Sequence, residues 1–293
     1  MVLRRVLGCI WLLSCSTTYA EIAVVDDTGA RVTLVQPAQR IVSLAPHVTE
    51  MLFAVGAGSK VVGAVEYSDY PEAAKSIPRV GGYSGFDLEK VVMLKPDLVV
   101  AWHSGNSTAT VERLKKMGFK VYFSEPRTLN DVATNLERLS LLTGNSVAGQ
   151  TAARSYRDEL ARLQRRYEGQ SKVSVFYQIW NSPLMTINGQ HLIGHVIDLC
   201  GGENVFATLP TLAPQVGLEA VLLANPEVII ASGMGYERPA WLDEWRRWPQ
   251  LAAVKSNSIY VIHPDIINRH SPRILKGAAQ MCEQLQEVRK GRK

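Results

Sequence analysis

The 293-residue sequence has few cysteines and, beyond its first twenty residues, no long apolar run. No later stretch reaches the roughly eighteen apolar residues of a membrane-spanning helix, so no such helix is predicted there. Two of the four cysteines, Cys9 and Cys15, lie within the first twenty residues, which leaves Cys200 and Cys282 for the rest of the chain. A hydrophobic content of 46% with 20% charged residues indicates a globular, core-forming protein.

Motifs for nucleotide binding and covalent catalysis are also missing. There is no P-loop and no G-x-G-x-x-G, and Phe86 replaces the last glycine of a nucleophile elbow. His191 and His195 are four residues apart, but no acidic or cysteine cluster joins them to make a zinc site. The other histidines near predicted strand ends are interpreted as solvated, with ligation of an iron centre in a bound molecule as the alternative; they are His47, His103, His263 and His270. The sequence therefore predicts neither an enzyme nor a metal site.

The positive charge of the chain does not indicate nucleic-acid binding. The formal net charge is +5, but Lys and Arg are scattered, and the densest basic runs are a predicted helix over 146–167 and the tail 289–293. No nucleic-acid recognition motif accompanies them. A solvated surface is the better interpretation.

The first twenty residues have the pattern of a cleaved signal peptide. Arg4 and Arg5 precede a short apolar stretch, and Thr18–Ala20 is a plausible cleavage site. The alternative is a lipoprotein attached through Cys15. Export places Cys200 and Cys282 in an oxidising compartment, where we expect them to form a disulfide between the helix ending at Cys200 and the C-terminal helix. The alternative is two free buried thiols.

One stretch of sequence occurs twice. Residues 88–101 and 218–231 share Leu, Glu, Val, Pro and Ala in register, and each predicts a short helix, a proline, an acid and an apolar strand. A further helix and strand follow each copy. Two copies of helix–strand–helix–strand predict two α/β lobes with similar cores.

Between the two copies, residues 146–167 have small and apolar residues at helical spacing and predict one long helix. The predicted architecture is α/β, with two Rossmann-like lobes joined by this helix and a ligand cleft between them. The predicted segments are a signal peptide (1–20), an N-terminal lobe (21–146) beginning with a hairpin (21–35), a linker helix (147–169) and a C-terminal lobe (170–293).

Aromatic residues lie beside glycine or serine where several predicted strands end. In the N-terminal half these loops contain Tyr67, Tyr83 and Trp102, and in the C-terminal half Trp180 follows a strand. Ligands bind at the carboxyl ends of strands in such sheets. The pattern predicts a shallow cleft for a large, flat, amphipathic ligand.

The whole mature chain resembles the helical-backbone class of periplasmic binding proteins that serve ABC importers. The resemblance rests on the leader, the two lobes with one connecting helix, residues 40–50 and the stretch 88–99. It implies that residues 40–293 form one binding domain in the periplasm. It also implies a monomer that delivers its ligand to a permease dimer with ATPase subunits, without nucleic acid and without a cofactor of its own.

Finer features are similar to the cobalamin receptors of this class. They are residues 67–71, 101–106, 200–204, 214–216 and 271–273. This resemblance implies cobalamin or a related corrinoid as the transported ligand and again a Cys200–Cys282 disulfide. The implied ligand contacts are Tyr67, Tyr83, Trp102, Trp180, Asp265, Ile266, Ile267, Asn268 and Arg269. A ferric siderophore or haem is the alternative ligand, and an exported enzyme or a signalling module is the alternative class.

The repeat contains one carboxylate per lobe at the start of matching helices, Glu89 and Glu219. Each is favourable there with the helix dipole alone. The resemblance implies a second role, in which the pair docks on arginines of a two-fold transporter dimer.

Overall fold

The computed structural model describes residues 21–82, 84–233 and 239–292. The predicted signal peptide and Tyr83 lie outside these residues. The strands are β1 Ile22–Val25, β2 Arg31–Leu34, β3 Ile41–Ser43, β4 Val61–Ala64, β5 Leu98–Trp102, β6 Val121–Ser124, β7 Val173–Gln178, β8 Trp180–Asn181, β9 Leu184–Met185, β10 Gly202–Asn204, β11 Val228–Ala231 and β12 Ile259–Val261.

The α-helices are α1 Pro46–Ala54, α2 Leu88–Met93, α3 Thr108–Lys116, α4 Leu129–Thr143, α5 Ser146–Tyr167, α6 Leu192–Leu199, α7 Leu218–Ala224, α8 Ala252–Lys255, α9 Pro264–Ile267 and α10 Ile274–Gly291. Three 3₁₀ helices span Gly58–Lys60, Glu72–Ser76 and Ala240–Arg247. Among the described helices, none combines the length and apolarity needed to span a membrane.

Each lobe contains a four-stranded parallel sheet with the same strand order. The N-terminal sheet runs β4-β3-β5-β6 and the C-terminal sheet runs β10-β7-β11-β12. The two central strands of each sheet, β3 with β5 and β7 with β11, are mostly apolar and mostly buried, as expected for parallel sheets covered on both faces. The prediction of two α/β lobes is confirmed.

The two copies of the repeat take equivalent positions in the two sheets. Each enters the third strand of its sheet, β5 or β11. The acid before that strand also bonds backbone at the start of the first strand: Asp97 accepts from Arg40 N at 3.0 Å, and Glu227 accepts from Ser174 N at 2.9 Å. Residues that match in the sequence repeat therefore occupy matching positions in the two sheets.

Helix α5 is one continuous rod between the lobes. Its buried residues recur every three or four positions, from Gly149 through Tyr156 to Tyr167, and join a core that extends into both lobes. The helix ends two residues before Gly169, which takes a left-handed φ of +70° that a residue with a side chain rarely adopts. The structure thus has the long helix over Ser146–Tyr167, close to the predicted 147–169.

Two features attach the ends of the chain. The β1–β2 hairpin is tied to the N-terminal lobe through Asp27, which accepts from Glu125 N and from Arg138, each at 2.6 Å. In the C-terminal lobe, Cys200 and Cys282 form the disulfide that joins the end of α6 to α10.

Candidate functional site

Trp102 lies at the carboxyl end of β5 and is held there by its own loop. Asn106 accepts a hydrogen bond from Trp102 N at 2.7 Å and donates one to Leu44 O at 2.9 Å. A Cβ at Gly105 would come within 1.9 Å of the indole, so only glycine lets this ring pack against its loop. The motif of Trp102 with Gly105 and Asn106 thus positions the aromatic ring at the strand end.

Tyr67 follows β4, the edge strand of the N-terminal sheet, which is separated from β5 by β3. Its side chain is 70% exposed, and its backbone φ is +63°, unusual for a residue with a Cβ. An exposed aromatic ring held by a strained backbone is a feature typical of a ligand-binding position.

A chain of four rings crosses from one lobe to the other. Trp102 contacts His47 and His270 with ring centroids 5.4 and 5.9 Å apart, and His270 contacts His191 at 5.6 Å. His47 and Trp102 belong to the N-terminal lobe, whereas His191 and His270 belong to the C-terminal lobe. Trp102, His191 and His270 line a cavity of about 270 Å³ between the two lobes.

Burial keeps these histidines neutral. It lowers the pKa of His47 to about 3, with help from the nearby charge of Arg269. It also lowers the pKa of His191 to about 4 and that of His270 well below its ordinary value. His191 Nδ1 accepts a hydrogen bond from Ile193 N, which leaves the ring proton on Nε2. The cleft wall therefore offers uncharged imidazoles at neutral pH.

The C-terminal side of the cleft is formed by the loop that carries α9. Asp265 and Ile266 are half-buried and Asn268 is exposed, so these positions have surface to offer a ligand. Ile267 is fully buried in the core shared by the lobes, so it supports the loop from below and does not reach the cleft. Trp180 is 37% exposed on the short β8–β9 hairpin of this lobe.

Arg269 connects the two lobes through a buried ion cluster. Its Nη1 donates to Glu50 Oε1 at 2.8 Å and to Asp69 Oδ1 at 2.7 Å, both from the N-terminal lobe. Its Nη2 lies 2.7 Å from Asp265 Oδ1. Arg273 donates to Glu50 at 3.0 Å, and Ser271 also donates to it. The predicted ligand contact Arg269 is thus largely engaged by carboxylates.

The electrostatics of this cluster combine burial with pairing. Burial raises the pKa of Glu50, which has a side chain only 1% exposed, although Ser271, Arg269 and Arg273 act against that rise. For Asp69, burial also raises the pKa, but the bond and charge of Arg269 outweigh it, and the net pKa falls. Burial alone would lower the pKa of Arg269, but the hydrogen bonds to Asp69 and Glu50 outweigh burial, and the net pKa lies above its ordinary value. Pairing thus favours the charged forms of Asp69 and Arg269. Three donors, Arg269, Arg273 and Ser271, surround the Glu50 carboxyl group.

Sequence reasoning did not assign a role to Glu50, Asp69, Ser271 or Arg273 in this network. Asp69 and Ser271–Arg273 lay in stretches already noted for their resemblance, and Glu50 lay in the opening turn. The available signal was an acidic residue, Glu50, within the apolar pattern of α1. A charged side chain at such a position is rarely buried unless it is paired, so the pattern indicates a partner.

The two predicted docking residues lie apart from the cleft network. Glu89 and Glu219 are both exposed, in the first turns of α2 and α7. Asp87 caps α2 by accepting from Glu89 N at 3.0 Å, so the Glu89 carboxylate is not needed as the cap. Within residues 21–82, 84–233 and 239–292, no three His, Cys, Asp or Glu side chains are arranged to hold a metal ion.

The cleft therefore combines aromatic faces, neutral imidazoles and a rigid ionic joint, an arrangement suited to holding a ligand between lobes. A family profile described as "Periplasmic binding protein" matches residues 41–266. The chain belongs to the periplasmic binding protein family.

Two relatives match nearly the whole length of this binding protein. A vitamin B12-binding protein from Vibrio parahaemolyticus is 39% identical over 260 residues, which cover 88% of this chain and 93% of the relative. The crystal structure of the periplasmic vitamin B12 binding protein BtuF of Vibrio cholerae is 37% identical with a TM-score of 0.80, covering 87% of this chain and 99% of that one.

A haem-binding member has the same fold with a less similar sequence. The periplasmic haem-binding protein RhuT from Roseiflexus sp. RS-1 has a TM-score of 0.76 and 20% identity, covering 86% of this chain and 99% of that one. This likeness extends to the fold alone.

Proposed function

We propose that this protein binds cobalamin or a related corrinoid in the periplasm and delivers it to an ABC importer in the inner membrane. The main support is the similarity to vitamin B12-binding proteins, which runs through both lobes and the helix between them. No bond of the ligand is made or broken in this role.

In the proposed complex the corrin lies between the ends of the two sheets. Tyr67 and Trp102 contact it from the N-terminal lobe, with Tyr83 as a further contact. Trp180 and the loop Asp265–Arg269 contact it from the C-terminal lobe. Within this loop, Ile267 supports the backbone from the core and does not contact the ligand. Flat aromatic faces bury the apolar surface of the ring, and loop backbone and polar side chains meet its peripheral amides.

Titration of residues 21–293 with cyanocobalamin tests this function. We expect one-to-one binding with a submicromolar Kd, measured by calorimetry and by quenching of tryptophan fluorescence. Trp102→Ala should weaken binding by about tenfold or more, because a buried aromatic contact of this size is worth on the order of 1–3 kcal/mol. Trp248→Ala, a half-buried tryptophan of the C-terminal core, serves as the control for loss of an indole.

Haem is the second candidate ligand, because His191 and His270 line the cavity as neutral imidazoles. Haemin binding with a shift of the Soret band and no binding of cyanocobalamin would replace the corrinoid proposal. The opposite result would exclude haem.

Delivery is proposed to use the two exposed carboxylates, Glu89 and Glu219. Two equivalent carboxylates, one per lobe, match a two-fold permease dimer that presents one cation per subunit. Glu89→Arg combined with Glu219→Arg should leave the Kd for cyanocobalamin unchanged and reduce its uptake into cells to near background. Unchanged uptake would contradict docking through these residues.

A further inference from the structure

The two copies of the repeat have the same pattern of exposure, position by position. Over residues 87–100 and 217–230, buried, half-buried and exposed positions coincide throughout. Buried positions are matched because both copies pack against equivalent sheets. Exposed positions do not pack against the sheets, so similar side chains at matching exposed positions need another explanation.

Five exposed pairs occur in this register. They are Asp87 with Gly217, Glu89 with Glu219, Lys90 with Ala220, Met93 with Leu223 and Lys95 with Asn225. Three of the pairs differ in charge or polarity. The two that agree are the glutamates and the large apolar pair, Met93 and Leu223.

Met93 and Leu223 are unusually open for apolar side chains of this size. Met93 is 79% exposed and Leu223 is 89% exposed. Each lies four residues after the glutamate of its own helix, α2 or α7, and residues four apart share a helix face. Each lobe thus presents a carboxylate and an apolar side chain side by side.

A single exposed apolar residue needs no explanation, but a matched pair beside a matched pair of charges does. We propose that Met93 and Leu223 are apolar docking contacts that insert into equivalent pockets on the two subunits of the permease dimer, each next to the cation that meets Glu89 or Glu219. This inference rests on the proposed delivery function. The carboxylates give long-range attraction, and the apolar contacts add short-range affinity that salt does not screen.

The test compares two double variants in cells that have this protein as their only periplasmic cobalamin-binding protein. Met93→Ala with Leu223→Ala should lower uptake of labelled cyanocobalamin about tenfold at limiting protein, as expected when buried anchors of an interface are truncated. The matched control is Val35→Ala with Val147→Ala, which truncates two apolar side chains that are 78% and 81% exposed but lie outside the repeat.

Purified protein supplies the second readout. Both double variants should keep the wild-type Kd for cyanocobalamin and the wild-type unfolding midpoint, because all four side chains are exposed. The single variants Met93→Ala and Leu223→Ala should each give an intermediate loss of uptake of similar size, as a two-fold partner requires.

Three outcomes would overturn the inference. If Met93→Ala with Leu223→Ala transports like wild type while Glu89→Arg with Glu219→Arg fails, docking uses the carboxylates alone. If the valine control loses as much uptake, the effect is not specific to the repeat. If both the glutamate and the apolar variants transport normally, docking through α2 and α7 is wrong, and the inference falls with it.

Discussion

His47 and His270 are buried and His191 is half-buried at the joint between the lobes, where their rings contact one another or Trp102. Burial lowers the pKa of each, so the folded protein resists protonating them. An unfolded histidine titrates near 6.5. Below that pH the unfolded chain takes up protons that the folded protein does not, and this difference lowers the free energy of unfolding.

We therefore predict that the contribution of these histidines to stability is constant above about pH 7 and falls as the pH drops from about 6.5 toward 4. At pH 5.5 each such histidine should cost roughly 1.4 kcal/mol, because the unfolded state binds a proton that the folded state does not. Urea unfolding at pH 7.5 and 5.5 measures this loss. His270→Phe should make the loss smaller, because it removes one of the buried groups that the unfolded chain protonates.

The raised pKa of Glu50 acts in the opposite direction at low pH. The decisive quantity is therefore the difference between wild type and His270→Phe at each pH. An identical pH dependence in the two proteins would contradict the assignment of His270.

At the scale of elements, the disulfide and α10 hold the end of the C-terminal lobe. Cys200 and Cys282 are 82 residues apart in sequence, and Arg289 of α10 donates to Cys200 O at 2.6 Å. Cys200→Ser with Cys282→Ser should lower the free energy of unfolding by about 4 kcal/mol, from loop-closure entropy in the unfolded chain. If this variant and fully reduced wild type have equal urea midpoints, the loss of stability comes from the loss of the Cys200–Cys282 disulfide. A variant as stable as the oxidised wild type would contradict it.

The elements themselves were largely predictable from sequence. The repeat, the long helix and the strand ends follow from local periodicity, proline and glycine. The ion cluster and the chain of rings were not predictable in the same way. Glu50 and Arg269 are 219 residues apart and meet only because the two lobes pack together, and no local pattern encodes that distance. The same limit applies to Ile267. It lies two residues after Asp265, at the end of α9, and its side chain is fully buried in the core.

At the scale of the whole molecule, the buried ion cluster connects the lobes in addition to α5, the shared core and the chain of rings. Glu50 is bonded by Arg269, Ser271 and Arg273 of the other lobe. Removing one partner of a buried ion pair leaves uncompensated charge, at a cost on the order of 3–5 kcal/mol.

Glu50→Gln should therefore lower the free energy of unfolding by about 3 kcal/mol. It should also speed the dissociation of cyanocobalamin, since Asp69 is then the one carboxylate among the described residues of the N-terminal lobe that still pairs with Arg269 in the loop 265–269. Urea unfolding and stopped-flow fluorescence measure the two effects. The control is Glu137→Gln, which breaks a partly exposed pair with Arg157 and should cost less than about 1 kcal/mol. If the two variants are equally stable, the cluster is not a significant connection.

The division of charge within this cluster has a mechanical consequence. Glu50 and Asp69 are on one lobe, and Arg269 and Arg273 are on the other, so parting the lobes separates two negative groups from two positive ones. The attraction between them acts as a restoring force that is strongest while the groups are close and buried, and it weakens as the cleft opens and water enters. A transporter that releases the ligand must do work against that force, and the work required should decrease as ionic strength rises.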